Sequence, residues 1–168
     1  MGIDYRSIMP TNLYGPGDNF HPENSHVIPG LIRRLHQAKV NGEKTTSCWG
    51  TGLVKREFLH VDDAAEAAIF LMNLSNAHYS SETEPTRYHI NVGSGQDVSI
   101  RELMQCITKV VGYSGEIEFD SSKPDGPPRK LLNISRIQKL GWKPKIDFVE
   151  GLELTYQWYL DNIENVRT

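Results

Sequence analysis

Among the six histidines of the sequence, His26 has the neighbours that favour proton chemistry. It follows Ser25 at the start of a predicted helix, where the helix dipole favours a neutral imidazole that could donate a proton to a carbon. A histidine at such a position more commonly caps or packs the helix, so this pattern alone favours a structural role. We predict no metal site, because the spacing of the other histidines suits none: His21, His36, His60, His78 and His89.

Two arginines are candidates for binding an anionic ligand, and a tryptophan and an aspartate are considered beside them. The planar, permanently charged fork of arginine recognises a diphosphate well, and Arg34 and Arg56 are the arginines in question. By pattern alone, Arg34 lies on a solvated helix face and Arg56 at a strand edge. Trp49 suits a core position, and Asp125 in a Pro/Gly-rich loop favours a turn. Residue type and spacing therefore favour structural roles for all four.

Two features on which a dinucleotide-dependent reductase of the short-chain type depends are missing from this sequence. No Gly-rich turn follows a first strand, and Gly93-Ser94-Gly95 lacks a third glycine at the required offset, so we interpret it as a structural turn. None of the seven tyrosines has a lysine four positions later, the pairing that lets a phenol protonate a carbonyl. We therefore expect the chain to be inactive by itself.

Composition indicates one globular domain that handles small molecules. The 168 residues are 38% hydrophobic and carry a net charge of −3, without a basic run that would attract nucleic acid or a membrane. No apolar run is long enough to span a bilayer, and residues 1–6 do not resemble a signal peptide. Cys48 and Cys106 are too isolated for a disulfide framework or a thiolate metal site. These features favour a reducing, cytoplasmic setting.

The first half of the chain is predicted to alternate strands and helices. Apolar residues at helical spacing from Ser25 predict one helix. Asp63 and Glu66 have the spacing of a capping box ahead of a second. The predicted elements are strand Tyr5–Met9, turn-rich loop Pro10–Asp18, the helix from Ser25, strand Arg56–Val61, helix Ala64–Leu74 and surface loop Ser75–Thr86.

The second half continues the alternation. Ser99 with Glu102, and Asp147 with Glu150, predict two further capped helices. The predicted elements are strand Tyr88–Val92, a helix from Ser99 to about Val111, strand Glu116–Phe119, loop Ser121–Lys130, helix Asn133–Leu140 and a last helix that begins at Asp147. This order predicts an α/β fold in which helices lie against a sheet.

Several runs of the sequence resemble GDP-L-fucose synthases, which are extended short-chain dehydrogenase/reductases. Runs such as Asn12-x-Tyr14-Gly15-Pro16 and His60-Val61-Asp62-Asp63 are shared by extended short-chain dehydrogenases generally. The runs at residues 18–22 and 123–130 are characteristic of this one family. The resemblance continues through Trp49-Gly50, residues 56–63, Ile90-Asn91-Val92-Gly93 and residues 155–158, so it covers essentially the whole chain.

The resemblance implies an α/β fold that corresponds to the C-terminal, substrate-binding portion of a Rossmann-like enzyme whose N-terminal dinucleotide-binding part is missing. We expect residues 1–168 to form a single substrate-binding domain, with residues 1–16 resembling a late strand and loop of the Rossmann domain. The family's enzymes convert GDP-4-keto-6-deoxy-D-mannose to GDP-L-fucose by 3,5-epimerisation and NADPH-dependent 4-reduction. NADP(H) would be bound mainly by the missing part, and full-length members are expected to be cytoplasmic homodimers.

The resemblance also assigns roles to particular residues. It makes His26 the catalytic proton donor, with a partner cysteine upstream of this chain, so neither Cys48 nor Cys106 takes that role. The cofactor's nicotinamide half is expected to contact Pro10, Thr11, Asn12, Leu13 and His26. The GDP-sugar is expected to contact Arg34, Trp49, Arg56 and Asp125. Whether Asp125 meets the ribose or the base stays open.

Two other functions are compatible with the residues. The chain could be a stand-alone nucleotide-sugar binding module, or a partner that complements a separate cofactor domain. It could also belong to another extended dehydrogenase that acts on a UDP- or dTDP-sugar, although the runs at residues 18–22 and 123–130 disfavour this. The sequence upstream of Met1 would separate the first alternative from the enzyme, and competition between GDP and UDP would test the second.

Overall fold

Strands and helices alternate along the chain in a computed structural model, which describes residues 4–84 and 86–166. The elements are β1 Ser7–Pro10, β2 Asn12–Tyr14, α1 Val27–Val40, β3 Thr45–Trp49, β4 Lys55–His60, α2 Val61–Asn73, α3 Asn76–Ser81, β5 His89–Val92, β6 Asp97–Ser99, α4 Ile100–Val111, β7 Glu116–Asp120, β8 Arg129–Lys130, α5 Ser135–Lys139 and α6 Phe148–Asp161. This order confirms the predicted α/β class.

Strand β4 is the central strand of the largest sheet. Its second half pairs in parallel with β2, and its first half pairs with antiparallel β6 and parallel β8. Two further parallel pairs, β1 with β5 and β3 with β7, form separate two-stranded sheets. The loop that follows β2 therefore emerges beside the end of β4, and it connects the predicted residues of β1 and β2 to His26.

The alternation of side chains along β4 separates two hydrophobic cores. Phe58 packs into a cluster formed largely by α1, α4 and α6, whereas Leu59 packs into a cluster formed by α2, α3, α5 and β5. Successive side chains of a strand point to opposite faces, so one strand can support both cores. Each core fixes one side of the segment that ends at His60.

Two predicted helices have the expected bounds and faces. In α1 the apolar residues Ile28, Leu31, Ile32 and Leu35 are buried, as their spacing predicts. At the start of α4 the Ser99 hydroxyl accepts from the Glu102 amide while the Glu102 carboxylate accepts from the Ser99 amide. This reciprocal pair satisfies two backbone donors that a helix N-terminus leaves free, and it confirms the predicted capping box.

The capping box predicted at Asp63 and Glu66 is wrong. Helix α2 begins at Val61, and its cap is His60, whose Nδ1 accepts from the Asp62 amide at 3.3 Å. Asp63 lies within the first turn and is buried. Its carboxylate accepts instead from two backbone amides of the segment before α6, because a tertiary contact of this kind satisfies both oxygens where a local cap satisfies one.

The surface loop predicted for Ser75–Thr86 contains a short helix. Ser75 caps α3 by accepting from the His78 amide, and Tyr79 is buried among the residues of the second core. The polar composition of the segment hid this single apolar anchor. Within the two described ranges, no helix has the length and apolar character needed to cross a membrane.

Candidate functional site

A cleft of about 470 Å³ opens between the segment after β1 and the start of α1. One wall consists of residues 11–18, the other of residues 26–29, and Phe58 and Val61 also line it. Loops at the carboxyl ends of parallel strands are the usual binding edge of open α/β sheets. The cleft therefore lies where a ligand of such a fold is expected.

At Gly15 the backbone passes close to Val61, the first residue of α2, at the floor of the cleft. Its φ of 151° lies outside the range that side chains adopt readily, and an added Cβ would lie 2.6 Å from Cγ1 of Val61. The preceding residue, Tyr14, is buried and donates its hydroxyl hydrogen to the Phe148 carbonyl at 3.3 Å. Glycine at position 15 thus lets the first wall pass directly over the N-terminus of α2.

The loop between Gly15 and His26 is held by a chain of hydrogen bonds. The Asn19 side chain accepts from the His21 amide and donates to the Asn24 carbonyl. The His21 ring nitrogen Nδ1 accepts from the amides of Glu23 and Asn24, each at 3.1 Å. His21 is therefore a loop-organising residue.

Phe20 fastens this loop to the protein core. Its side chain is fully buried, and its ring lies 4.8 Å from the ring of Tyr159 and 5.9 Å from that of Trp158, both in α6. Arg33 of α1 donates to the Phe20 carbonyl at 2.9 Å. The loop that separates the two walls of the cleft is thereby fixed at its middle.

His26 occupies the cap position of α1 without acting as a side-chain cap. Its backbone is extended and its carbonyl accepts from the Gly30 amide, but its imidazole makes no capping hydrogen bond. The side chain is exposed and lines the cleft. An imidazole that makes no capping hydrogen bond is available to contact a ligand. A purely structural role as a helix cap would instead use the imidazole in a capping bond.

Asp18 lines the same cleft opposite His26. Burial raises the pKa of its carboxyl, while the amide of Asn19 and the charge of His26 act in the opposite direction. The sequence interpretation assigned no role to Asp18 beyond its place in a family-specific run. That run was the signal by which it could have been found.

Thr11 and Asn12 are fixed by the buried Glu57. The Thr11 hydroxyl and the Asn12 side-chain amide both donate to the Glu57 carbonyl, at 3.2 and 2.7 Å. The fully buried Glu57 carboxylate accepts from the amides of Gly95 and Leu132. One residue of β4 thereby joins the cleft wall to the loops after β5 and β8, a role that its position in a strand did not reveal.

A second region, the turn–loop surface, comprises residues 49–56 and 121–128. The Asp125 carboxylate accepts from the amide and the hydroxyl of Thr51, at 3.0 and 2.6 Å. Gly50 has a φ of 82°, and Asp125 fills the space that a side chain there would need. Trp49 is 66% exposed, and the Lys123 ammonium lies 5.8 Å from the centre of its ring.

The two arginines both bind backbone carbonyls near this surface. Nη1 of Arg56 donates to the carbonyls of Lys55 and Pro127, each at 2.7 Å. Nη1 of Arg34 donates to the Ser47 carbonyl of β3 at 2.8 Å. Arg56 thus belongs to the turn–loop surface directly, whereas Arg34 supports the strand that leads into it.

The predicted residues consequently divide into two groups. The structure brings Thr11, Asn12, Leu13 and His26 together in the cleft, while Pro10 ends β1 outside it. Trp49, Arg56 and Asp125 share the turn–loop surface, and Arg34 lies beside it. The predicted core position of Trp49 from pattern alone is wrong, because the indole is exposed.

Cys48 does not have the features of a reactive thiol. Cys48 is buried within the first core, and burial raises the pKa of its thiol although Arg34 acts in the opposite direction. Cys106 is half-buried in α4. Across residues 4–84 and 86–166, no three His, Cys, Asp or Glu side chains are grouped so that they could hold a metal ion.

The sequence profile of the NAD dependent epimerase/dehydratase family matches residues 1–93, which include the whole cleft and the end of β4. The chain belongs to this family. The family's profile ends in the turn after β5, so the turn–loop surface is matched only in its first half.

Curated relatives of this epimerase/dehydratase chain are similar to nearly all of it. A GDP-L-fucose synthase of Escherichia coli is 55% identical over 99% of the chain, and GDP-L-fucose synthase 1 of Arabidopsis thaliana is 54% identical over 98%. The chain spans about half of their length, 52% and 48% respectively.

A solved GDP-L-fucose synthetase of Naegleria fowleri bound to NADP is similar to the chain in structure. It superimposes with a TM-score of 0.84 and 30% identity over 97% of this chain and 49% of its own. The chain therefore has the fold of an extended short-chain dehydrogenase, and it corresponds to about half of such an enzyme.

Proposed function

We propose that this chain is the substrate-binding half of a GDP-L-fucose synthase, an NADP-dependent epimerase-reductase that converts GDP-4-keto-6-deoxy-D-mannose to GDP-L-fucose. The observation that carries the proposal is the joint presence, on one chain, of a cleft with an uncapped imidazole and an arginine–aspartate surface, each of which includes a residue of β4. The high identity to proteins named GDP-L-fucose synthase supports the choice of nucleotide sugar.

The cleft fits the nicotinamide half of NADP(H). Leu13 is 37% exposed and offers apolar surface, while Thr11 and Asn12 bring polar groups whose positions Glu57 fixes. Pro10 ends the strand before them, so it orients this segment rather than lining the cleft. When bound, NADPH supplies the hydride that reduces the 4-ketone, and most of its binding surface belongs to the part absent from this chain.

His26 is proposed to transfer protons during epimerisation. A proton next to a ketone is acidic because the carbanion left behind is delocalised onto oxygen, and inversion requires an acid and a base on opposite faces of the sugar carbon. His26 supplies one of these groups from the α1 side of the cleft, by donating its ring proton to carbon. In this proposal the other group comes from the other half of the complete protein.

The turn–loop surface is proposed to bind the GDP portion of the substrate. Arg56 supplies a charged fork whose Nη1 is held by backbone carbonyls, which leaves its other donors for a diphosphate. Asp125 and the exposed indole of Trp49 flank it and contact the nucleoside or sugar. Arg34 acts from α1, where its hydrogen bond to the Ser47 carbonyl of β3 fixes the approach to Trp49.

In this proposal residues 1–168 form one substrate-binding domain, and residues 1–16 contribute a late strand and loop of the Rossmann domain. The complete protein is then a cytoplasmic homodimer whose small-molecule ligands are a GDP-sugar and NADP(H). A stand-alone nucleotide-sugar binding module remains the competing function, and it makes no use of a free imidazole in the cleft.

The test uses the complete protein, in which this chain is joined to its upstream half. Wild-type protein should convert GDP-4-keto-6-deoxy-mannose with NADPH to GDP-fucose and incorporate solvent deuterium at two sugar carbons. The variant His26→Gln should lose most deuterium incorporation while its affinity for NADPH is unchanged, because an amide transfers no proton at neutral pH. His36→Gln, at a histidine of α1 that does not line the cleft, is the control. Wild-type deuterium incorporation in His26→Gln would refute the role of His26.

A further inference from the structure

Asp18 presents a carboxylate oxygen that has no hydrogen-bond partner. Its Oδ1 accepts from the Asn19 amide at 2.7 Å, whereas Oδ2 is shielded from solvent and has no partner among the residues described. Leaving a buried acceptor unsatisfied destabilises a fold, and it does so more strongly when the group is charged. Such an arrangement points to an interaction that forms only in another state of the site.

The loop around Asp18 holds this carboxylate in place. The Asp18 amide donates to the Gly15 carbonyl at 3.4 Å, and the hydrogen bond from the Asn19 side chain to the Asn24 carbonyl closes the turn that follows. Phe20 anchors the same loop in the core. Because these contacts fix the backbone on both sides of Asp18, its position is a property of the folded chain and does not depend on a ligand.

The charge of His26 lowers the pKa of the Asp18 carboxyl, against the effect of burial. Both residues line one cleft, and among the described side chains His26 is the one whose charge acts on the Asp18 carboxyl. The two are not hydrogen-bonded to each other in the structure, and the imidazole makes no capping bond that would prevent it from rotating. Each therefore has an unused hydrogen-bonding group within the same space.

We propose that Asp18 is a positioning residue for His26, whose imidazole turns into the cleft during the reaction and donates a hydrogen bond to the free Oδ2. The inference rests on the proposed role of His26 in proton transfer. The ionised carboxylate fixes the tautomer of the ring and stabilises the imidazolium, so the opposite ring nitrogen presents its proton to the substrate carbon. Asp18 itself neither gains nor loses a proton in the step.

The first experiment measures the Asp18 carboxyl by NMR titration of the folded chain, with no substrate present. Imidazoles are protonated at the acidic pH where carboxyl groups titrate, so His26 opposes the rise that burial imposes. The pKa of Asp18 should therefore rise further in His26→Gln and stay unchanged in the control His36→Gln. An unchanged pKa of Asp18 in His26→Gln would overturn the proposal, whatever the outcome of the activity assay.

The second experiment uses the complete protein and the variant Asp18→Asn. The amide oxygen still accepts from Asn19, so the turn is kept and only the charge and the Oδ2 acceptor are lost. Solvent deuterium incorporation should fall by roughly ten- to a hundredfold, which is less than the loss of a general acid–base group itself because the imidazole remains, with NADPH affinity unchanged. Glu23→Gln, an exposed carboxylate of the same loop, is the matched control. Equal incorporation rates in wild type and Asp18→Asn would reject the pairing.

Discussion

At the scale of single residues, most of the candidate site consists of side chains that already hold the fold together. Arg56 donates to Pro127, Asp125 accepts from Thr51, and Asn12 donates to Glu57. The conformations of such side chains are partly fixed by these hydrogen bonds before a ligand binds, so less conformational entropy is lost on binding. His26 is the exception, because its imidazole has no capping bond.

Arg56→Ala is expected to weaken binding of GDP-sugars to the complete protein. A charge-assisted hydrogen bond contributes about 1.5–3 kcal/mol, which corresponds to a loss of roughly ten- to a hundredfold or somewhat more in affinity. The affinity for NADPH should hardly change, and Arg56→Lys should restore binding only in part, since lysine lacks the bidentate fork. Separate calorimetric titrations with GDP-mannose and NADPH measure both constants.

Arg87→Ala is the control for Arg56→Ala, because Arg87 is exposed and pairs with Glu84 away from the turn–loop surface. Its GDP-mannose affinity should equal that of the wild type. If Arg56→Ala also left that affinity unchanged, Arg56 would be a structural residue that secures the Pro127 loop. A melting curve of each variant separates loss of binding from loss of folding.

At the scale of elements, the sequence predicted the helices better than the short strands. The spacing of apolar residues in α1 and the reciprocal cap of α4 are local properties, so they can be read from neighbouring residues. Strands β2 and β6 have three residues each and β8 has two, and all three are defined by pairing with β4 across the fold. The sequence of such a short segment does not indicate which distant strand it pairs with, so these strands could not be predicted locally.

For the candidate site too, local sequence features were predicted better than contacts between distant segments. The family-specific runs led to His26, Arg56 and Asp125, but which of them share a surface depends on how the loop at residues 121–130 folds back onto the turn after β3. The roles of Glu57 and Asp63 were missed for a related reason. Both carboxylates accept from backbone amides distant in sequence, and a residue's type does not reveal such partners.

Asp63→Asn is expected to destabilise the chain by about 1.5–3 kcal/mol, the range for a hydrogen bond to a charged group. The Asp63 carboxylate accepts from the amides of Lys145 and Ile146, at 3.0 and 3.1 Å, and so ties α2 to the segment before α6. An amide side chain keeps one acceptor and opposes a backbone donor with its own N–H groups. Urea unfolding followed by circular dichroism gives the free energy of unfolding.

Asp62→Asn is the matched control for Asp63→Asn, since it removes the neighbouring carboxylate from the same helical turn. The Asp62 side chain is 74% exposed and lies 3.7 Å from Nδ1 of His60. Its loss should cost well under about 1 kcal/mol, as for an exposed ion pair or a charge at a helix N-terminus. Equal effects of the two variants would mean that Asp63 acts through the helix dipole alone.

At the scale of the whole molecule, the exposed strand β1 distinguishes this chain from a self-contained α/β domain. Parallel strands are normally covered on both faces, yet all four residues of β1 are exposed, with Ile8 at 37% and Met9 at 50%. The apolar surface lies next to the cleft, because β1 leads directly into Thr11. The chain spans about half the length of the curated relatives it matches. We expect the other half of the proposed complete protein to cover this surface.

The purified chain is expected neither to oxidise NADPH nor to form GDP-fucose, while the complete protein does both. The sequence has no Gly-rich turn for a pyrophosphate and no tyrosine four residues before a lysine, so hydride transfer to a ketone lacks both cofactor anchorage and a proton donor. The measurement follows NADPH absorbance and separates nucleotide sugars by chromatography, with complete protein as the positive control. GDP-mannose binding to the chain, measured in parallel, verifies that the turn–loop surface is folded. Turnover by a preparation shown by mass spectrometry to be free of complete protein would contradict the assignment of the chemistry to two halves, since the cleft would then have to supply every group the reduction requires.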